Sequence, residues 1–198
     1  MNIHAIILAA GTSSRMLGRN KLLARFDGEP LVRRVARRTW ESGVHSTTVI
    51  VGRDAEAICE CLKDLPVTTV ENPVPETGLS GSLKCGMAAI PPNADGILVM
   101  LADMPFVETH SINLMIQRFA ERGGQTIIRA AQGAIAGHPV ILTRACLPAM
   151  AGITGDQGAK GLLQSGTFAV ETVEIGGEAL RDVDTPNEVA EAGGVFRQ

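Results

Sequence analysis

Short, fully apolar runs alternate with longer amphipathic stretches from one end of this chain to the other. No other feature constrains the fold as tightly. Ile3–Ala9 is an apolar strand, and Ala10–Asn20 is the small, polar loop after it. Asp27-Gly28 marks a turn, and Pro30 stands where a first helical residue belongs. Beyond it Leu31, Val32, Val35, Ala36 and Trp40 define one face of a helix. Arg33, Arg34, Arg37 and Arg38 define the other, which reads as a solvated face. Thr47–Val51 is a second strand, and Asp54 then caps a helix through Leu62. Val67–Val70 is a third strand, followed by a helix over Ser80–Ile90 that Pro91-Pro92 ends. Ile97–Leu101 is a fully apolar strand, Thr109–Glu121 a helix and Thr126–Ala130 a strand. Pro139–Leu142, a helical stretch Ala159–Gln164, a strand near Ala169–Glu174 and a helix after Pro186 complete the pattern. Strands alternating with helices predict an α/β fold with a mostly parallel sheet covered on both faces. No repeat, low-complexity run or linker interrupts the pattern, so one domain is expected over residues 1–198.

Composition excludes several functions. A formal net charge of −3 argues against a protein that neutralises many nucleic-acid phosphates. Aromatic residues make up only 3% of the chain and Tyr is absent, which leaves no platform for stacking single-stranded bases. Cys59, Cys61, Cys85 and Cys146 form no Cys-x-x-Cys pair and have no His at zinc-ligand spacing, so they read as free thiols of a reducing compartment. No apolar stretch approaches the roughly 20 residues of a membrane span. The N-terminus carries neither the basic nor the cleavage-type segment of a leader. A soluble, cytoplasmic protein without membrane or nucleic-acid partners is expected.

In sheets of this kind ligands bind beyond the C-terminal ends of the strands, so the residues just after each strand are the place to look for chemistry. After the first strand comes Leu8-Ala9-Ala10-Gly11-Thr12-Ser13-Ser14-Arg15, with Lys21 six residues further on. Small side chains at Ala9, Ala10 and Gly11 let a ligand approach the main chain, whose N–H groups can cradle an anion. Arg15 supplies a bidentate fork for phosphate and Lys21 a point charge. Neither G-x-x-x-x-G-K-[ST] nor G-x-G-x-x-G occurs in the chain. After Ile97–Leu101 comes Ala102-Asp103-Met104-Pro105, a carboxylate at a strand tip that suits a hard divalent cation, with a turn or cap aspartate as the alternative. Asp182-Val183-Asp184-Thr185-Pro186 offers a second carboxylate, Asp184, which also fits a helix N-cap. Asn72-Pro73 follows the third strand, and Gly78-Leu79-Ser80-Gly81-Ser82 opens the next helix. These hydroxyls suit a base edge, a ribose or plain capping. Phosphate donors, acidic metal ligands and a polar pocket together make a site for nucleotide chemistry.

With these residues in view, the chain resembles the nucleotidyltransferases related to molybdenum-cofactor guanylyl- and cytidylyltransferases, the MobA-like family. The resemblance rests on Leu8-Ala9-Ala10-Gly11 with Arg15-Met16 and Lys21, on Leu101-Ala102-Asp103-Met104-Pro105, on Gly137-His138-Pro139 and on Asp182-Val183-Asp184-Thr185-Pro186. It implies a three-layer, Rossmann-like α/β fold with a mixed, mostly parallel central sheet. It also implies Arg15 and Lys21 on the triphosphate, and Mg²⁺ on Asp103 with Asp184 as its partner. Leu8, Ala9, Ala10, Gly11, Asn72, Ser80 and Ser82 would frame base and ribose. Leu-Ala-Ala-Gly is more similar to the cytidylyl branch than to the Leu-Ala-Gly-Gly of guanylyl-transferring members, and the extra methyl at Ala10 would crowd a purine more than a pyrimidine, which favours CTP. Gly137-His138-Pro139 and Gly155-Asp156-Gln157-Gly158-Ala159-Lys160-Gly161 look like the acceptor side of that branch, placing His138, Asp156 and Lys160 there. In one respect the chain departs from the family. The commonest first motif reads Arg-Met-Gly, two residues, then Lys, whereas Leu17 stands here in place of the glycine and one more residue precedes Lys21.

The expected reaction is attack by the terminal phosphate of molybdopterin on the α-phosphorus of CTP, with pyrophosphate leaving and the product destined for a molybdenum hydroxylase. A phosphate monoester has its second pKa near 6, so the nucleophile arrives ionised and needs no catalytic base. Three other readings stay open at this stage. They are transfer to another phosphorylated acceptor, a non-catalytic nucleotide-binding accessory protein, and a redox enzyme acting on a heteroaromatic compound with a nicotinamide cofactor.

Overall fold

All seven residues of β1 (Ile3–Ala9) are buried, which demands cover on both faces of the strand. Ile3, Ala5, Ile7 and Ala9 enter one hydrophobic core, while Ile6 and Leu8 enter another. Burying one such aliphatic side chain stabilises by roughly 1.5–3 kcal/mol. Both faces therefore drive β1 to the centre of the sheet. The computed structural model describes the chain except at positions 12, 14, 76–77, 153–159 and 197–198.

A short 3₁₀ turn over Lys21–Leu23 follows the first loop, then β2 (Arg25–Phe26), β3 (Glu29–Pro30) and α1 (Leu31–Trp40). Next come β4 (Ser46–Val51), α2 (Ala55–Leu62), β5 (Thr68–Glu71), α3 (Gly78–Ala88), β6 (Gly96–Leu101) and α4 (Thr109–Glu121). The second half holds β7 (Ile127–Gln132), β8 (Ile135–Thr143), α5 (Leu147–Met150), α6 (Lys160–Gln164), β9 (Val170–Glu174), α7 (Pro186–Glu191) and β10 (Gly194–Val195). A seven-stranded sheet has the order β5-β4-β1-β6-β8-β7-β9. Pairing is parallel except that β8 runs against both of its neighbours. Residues of α1, α2, α4 and α7 fill the core on one face, and Leu83 of α3 with Met150 of α5 packs the other. The expected mixed, mostly parallel, three-layer α/β fold is the fold observed. A three-stranded sheet, β10-β2-β3, sits beside it.

Four local expectations are corrected. Pro30 precedes the helix rather than opening it, with an extended ψ of 141° at the N-cap. Asp54 adopts left-handed backbone (φ 62°) and caps nothing with its side chain, which instead accepts a bond from Asn20 Nδ2 (3.0 Å). The arginine face of α1 is not simply solvated. Arg38 is buried, donating to the carbonyls of Pro105 (2.7 Å) and Val107 (3.3 Å) and pairing with Glu108 (2.7 Å), while Trp40 is 44% exposed. Finally, the segment around Pro139–Leu142 is a nine-residue strand, paired as a hairpin with β7 across Gln132 and Ile135.

Candidate functional site

The C-terminal ends of β1, β4 and β6 lie side by side, with Leu8 opposite Leu101 and Ala9 opposite Val51. The loops that leave them share one edge of the sheet. Ala102 N donates to Leu8 O (3.1 Å), carrying the β1–β6 ladder up to the residue before Asp103. Met16 is fully buried and anchors the first loop, leaving its neighbour Arg15 exposed at the crevice. Asn20 caps the 3₁₀ turn, its Oδ1 accepting from Leu22 N (2.9 Å), and Leu22 sinks into the core. That turn aims Lys21 inward. Leu17, which stands in place of the glycine, sits at φ 53° and is 89% exposed.

Lys21 Nζ donates to Asp103 Oδ2 and to Asp184 Oδ1, both at 2.6 Å. Arg15 Nη1 donates to Asp184 Oδ2 at 2.7 Å. The first loop, the tip of β6 and the segment before α7, distant in sequence, thus meet in one ionic cluster. Burial alone would lower the Lys21 ammonium, but the charge and hydrogen bond of Asp103, with those of Asp184, hold it above its ordinary value. The hydrogen bond from Lys21, opposed by partial burial and reinforced by the charges of Lys21 and Arg15, keeps the Asp184 carboxyl below the usual range. Asp182 joins them: one carboxylate oxygen each from Asp103, Asp182 and Asp184 lies within 4.8 Å of the others. Partial desolvation, then the negative charge of Asp103, pushes the Asp182 carboxyl up. Sequence reasoning named Asp184 and passed over Asp182. The signal was alternation, since Val183 is buried between them and an extended segment sends its two neighbours to the opposite side.

This acidic segment is mounted firmly. Val183 N donates to Asp103 O (3.1 Å), and the Arg181 guanidinium lies 3.7 Å from the centre of the Phe106 ring. Thr185, not Asp184, is the N-cap of α7, in a capping box with Glu188. Asp184 is thereby released to face the crevice. Upstream, the turn over Gly176–Leu180 presses on β8, where a Cβ at Gly137 would stand 2.0 Å from Ala179 O. Close approach is why residue 137 has no side chain. Three carboxylates of hard oxygen donors suit a divalent cation, and Asp103 Oδ1 is buried without a hydrogen-bond partner, so the residues present fit one.

The remaining first-loop residues divide by exposure. Ala9 and Ala10 are buried, Leu8 is 8% exposed, and Gly11 lies exposed. The methyl of Ala10 packs towards Gly52, where a Cβ would stand 2.9 Å away. Asn72, after β5, is buried and donates from Nδ2 to Ser82 Oγ (3.3 Å), while its Oδ1 accepts from Val74 N (3.0 Å). Asn72 and Ser82 therefore brace the end of β5 against α3, and Ser80 is buried in the same first turn.

A cavity of about 370 Å³ opens on the α3 side of the sheet, lined by aliphatic side chains including Leu8, Leu83 and Leu101, with Arg129, His138 and Gln164 as its polar groups. His138 belongs to β8. Burial, then the nearby Arg129 charge, holds its imidazole down at about 4 against the opposing pull of Asp103, so it is neutral near pH 7. Its Nδ1 is buried without a partner. Arg129 donates to the carbonyl of Ala136 (3.2 Å) beside it. Lys160 begins α6, whose Leu163 and Gln164 line this cavity, whereas Asp156 lies outside the described residues.

The family described as the MobA-like NTP transferase domain matches residues 5–172. Nicotine blue oxidoreductase of Paenarthrobacter nicotinovorans is 27% identical over 196 residues, covering 94% of each chain. Purine catabolism protein PucB of Bacillus subtilis is 30% identical over 197 residues, covering 92% of each. Among solved structures, Rv0371c of Mycobacterium tuberculosis superposes with a TM-score of 0.83 at 26% identity, over 97% of both chains. With a family model matched over residues 5–172 and a relative 30% identical over 92% of both chains, the chain belongs to the MobA-like NTP transferase family and is a nucleotidyltransferase.

Proposed function

We propose that the chain, acting as one domain over residues 1–198, uses Mg²⁺ to move CMP from CTP onto the terminal phosphate of molybdopterin, releasing pyrophosphate. The observation that carries the reading is the cluster of Arg15, Lys21, Asp103, Asp182 and Asp184 at the C-terminal end of β1 and β6. Two anions have to meet in this reaction, so the obstacle is electrostatic rather than a missing base. Arg15 and Lys21 take oxygens of the triphosphate, holding the α-phosphorus in line with the incoming phosphate. Asp103 and Asp184, joined by Asp182, hold the divalent cation. When bound there, it supplies charge to the α-phosphate and to the leaving pyrophosphate.

Ala9, Ala10, Gly11, Asn72, Ser80 and Ser82 frame base and ribose in this reading. The preference for CTP rests on Ala10, whose methyl is buried against Gly52 where a glycine in the first loop would leave more room for a purine. The acceptor enters from the cavity beyond β6, with His138 and Lys160 on its side. A neutral imidazole there accepts or donates a hydrogen bond without adding charge. The acceptor itself is drawn from the resemblance of Gly137-His138-Pro139 and residues 155–163 to the cytidylyl branch.

Pyrophosphate release by purified protein with Mg²⁺ and molybdopterin, comparing CTP with GTP, ATP and UTP, tests this directly. Release with CTP well above the other three is expected. No release with any nucleotide, beside an active control enzyme on the same acceptor, would overturn it. The full-length similarity to nicotine blue oxidoreductase favours a second reading, reduction of a heteroaromatic dye seated in the aliphatic cavity. NADH oxidation in the presence of such a dye is its signature.

A further inference from the structure

We propose that Lys21 is the resident counter-ion of the carboxylate cluster and has to leave Asp103 and Asp184 before a divalent cation can enter, so that metal and nucleotide bind as one unit. The inference rests on the metal-dependent reading above.

Its first support is geometric. Lys21 Nζ bridges two carboxylates from different segments at 2.6 Å each, and these are two of the three carboxylates that would hold a divalent cation. A divalent cation on those two oxygens would sit close beside the ammonium, and the repulsion between the two charges opposes metal entry while Lys21 stays. Arg15 occupies the other oxygen of Asp184 at 2.7 Å. The carboxylate oxygen left over between Asp103 and Asp184 is Asp103 Oδ1, buried and without a partner. One such oxygen plus the exposed Asp182 makes a poor site for an ion that sheds water reluctantly.

The second support is the cost of moving Lys21. The residue is 9% exposed, and an ammonium drawn off its carboxylates without a new anion would be a buried, unpaired charge. A triphosphate supplies that anion. Lys21 stands on the turn that ends the phosphate-type loop, and its flexible four-carbon stem can swing from carboxylate to phosphate while the backbone stays fixed. The exchange is then complete: the metal takes the carboxylates, and the phosphates take the ammonium and the guanidinium. Lys21 thus couples metal entry to nucleotide binding and keeps metal from settling on the empty-handed enzyme.

Mn²⁺ binding, followed by its electron paramagnetic resonance signal, reads the coupling without turnover. Wild-type protein is expected to bind Mn²⁺ weakly alone and at least tenfold more tightly with a non-hydrolysable CTP analogue. Lys21→Met is expected to bind Mn²⁺ at least tenfold more tightly than wild type when no nucleotide is present, and to gain less from the analogue. If Lys21→Met binds no more tightly, or wild type binds equally well with and without the analogue, the exchange is refuted. Asp103→Asn separates this failure from failure of the underlying reading. Loss of Mn²⁺ binding in Asp103→Asn with no gain in Lys21→Met removes only the exchange, whereas indifference to Asp103→Asn removes the carboxylate site and the exchange with it. Should Lys21→Met fold poorly, Lys21→Gln carries the same expectation, and the wild-type comparison stands without either.

Discussion

Gly137→Ala is the most informative single change, because it acts on the carboxylates from a residue that touches none of them. The added methyl would stand 2.0 Å from Ala179 O, and side chains do not approach closer than about 3.0 Å, so one partner has to yield by about 1 Å. β8 is bonded on both sides only from Val140 onward, and Gly137 lies in the irregular stretch against β7, so this end of β8 and the turn over Gly176–Leu180 share the displacement. That turn leads directly into Arg181–Asp184, whose place is set by the bond from Val183 N to Asp103 O (3.1 Å) and the stack of Arg181 on Phe106. Misplacing catalytic groups by about 1 Å costs on the order of 10²-fold in rate. Overpacking costs about 1–3 kcal/mol, equivalent to a fall in Tm of roughly 2–12 °C for a chain of this size. Turnover measured by pyrophosphate release should therefore drop about a hundredfold while the protein still melts cooperatively. Gly177→Ala, in the same turn but with its nearest neighbour 3.7 Å away, should be tolerated and serves as the control. Near-normal turnover in Gly137→Ala, beside a tolerated Gly177→Ala, would refute the chain of contacts from β8 to Asp182 and Asp184.

Asp103→Asn keeps the shape of the side chain but not its charge, and is expected to cut turnover by about 10²-fold or more with little change in Tm. A rate within a few-fold of wild type would take Asp103 out of the reaction. Arg38→Met strands the carbonyls of Pro105 and Val107 and the carboxylate of Glu108, at a cost of about 2–4 kcal/mol in thermal or urea unfolding. An unchanged melt would mean that these bonds add nothing to the fold. His138 carries a pH signature. Its imidazole is held at about 4 in the folded chain against about 6.5 unfolded, so the unfolded chain binds more protons between those values. The stability it contributes is present above pH 6.5 and lost as pH falls through 4, on the order of 3 kcal/mol in all. Urea titrations of wild type and His138→Gln across that range should show a shallower acid loss in the variant, and parallel curves would contradict the assignment.

The central sheet was legible wherever burial on both faces produced an unbroken apolar run, as in Ile3–Ala9 and Ile97–Leu101, and α4 matched its expected limits of Thr109 and Glu121. β8 was only partly legible, because a strand inserted against its neighbours leaves no mark in local periodicity. The paired strands β2, β3 and β10 are two residues long and too short for any pattern. Arg38 misled for a different reason. It stands seven residues after Leu31 and three after Val35, on the buried stripe, and its charge masked a position that helical geometry sends inward. The convergence of Arg15, Lys21, Asp103 and Asp184 was readable from the post-strand rule. The contribution of Asp182, and the bracing of Asn72 by Ser82, depended on tertiary contacts with no local signature.

The reversed direction of β8 has one more consequence. β8 lies along the cavity with its flank, beside Leu8 of β1 and Val99 and Leu101 of β6. Ala136, His138, Val140 and Leu142, every second residue, face that space. A loop can drift in shape when its sequence changes; Val140 and Leu142, paired with β6, and Ala136, paired with β7, are held by the ladder. Four alternate letters on one strand thus set the chemistry of one side of the cavity, while the loops at the ends of β1 and β6 stay untouched. Substitutions at those four positions would let a lineage trade one cavity occupant for another and inherit the phosphate-handling half of the site unchanged.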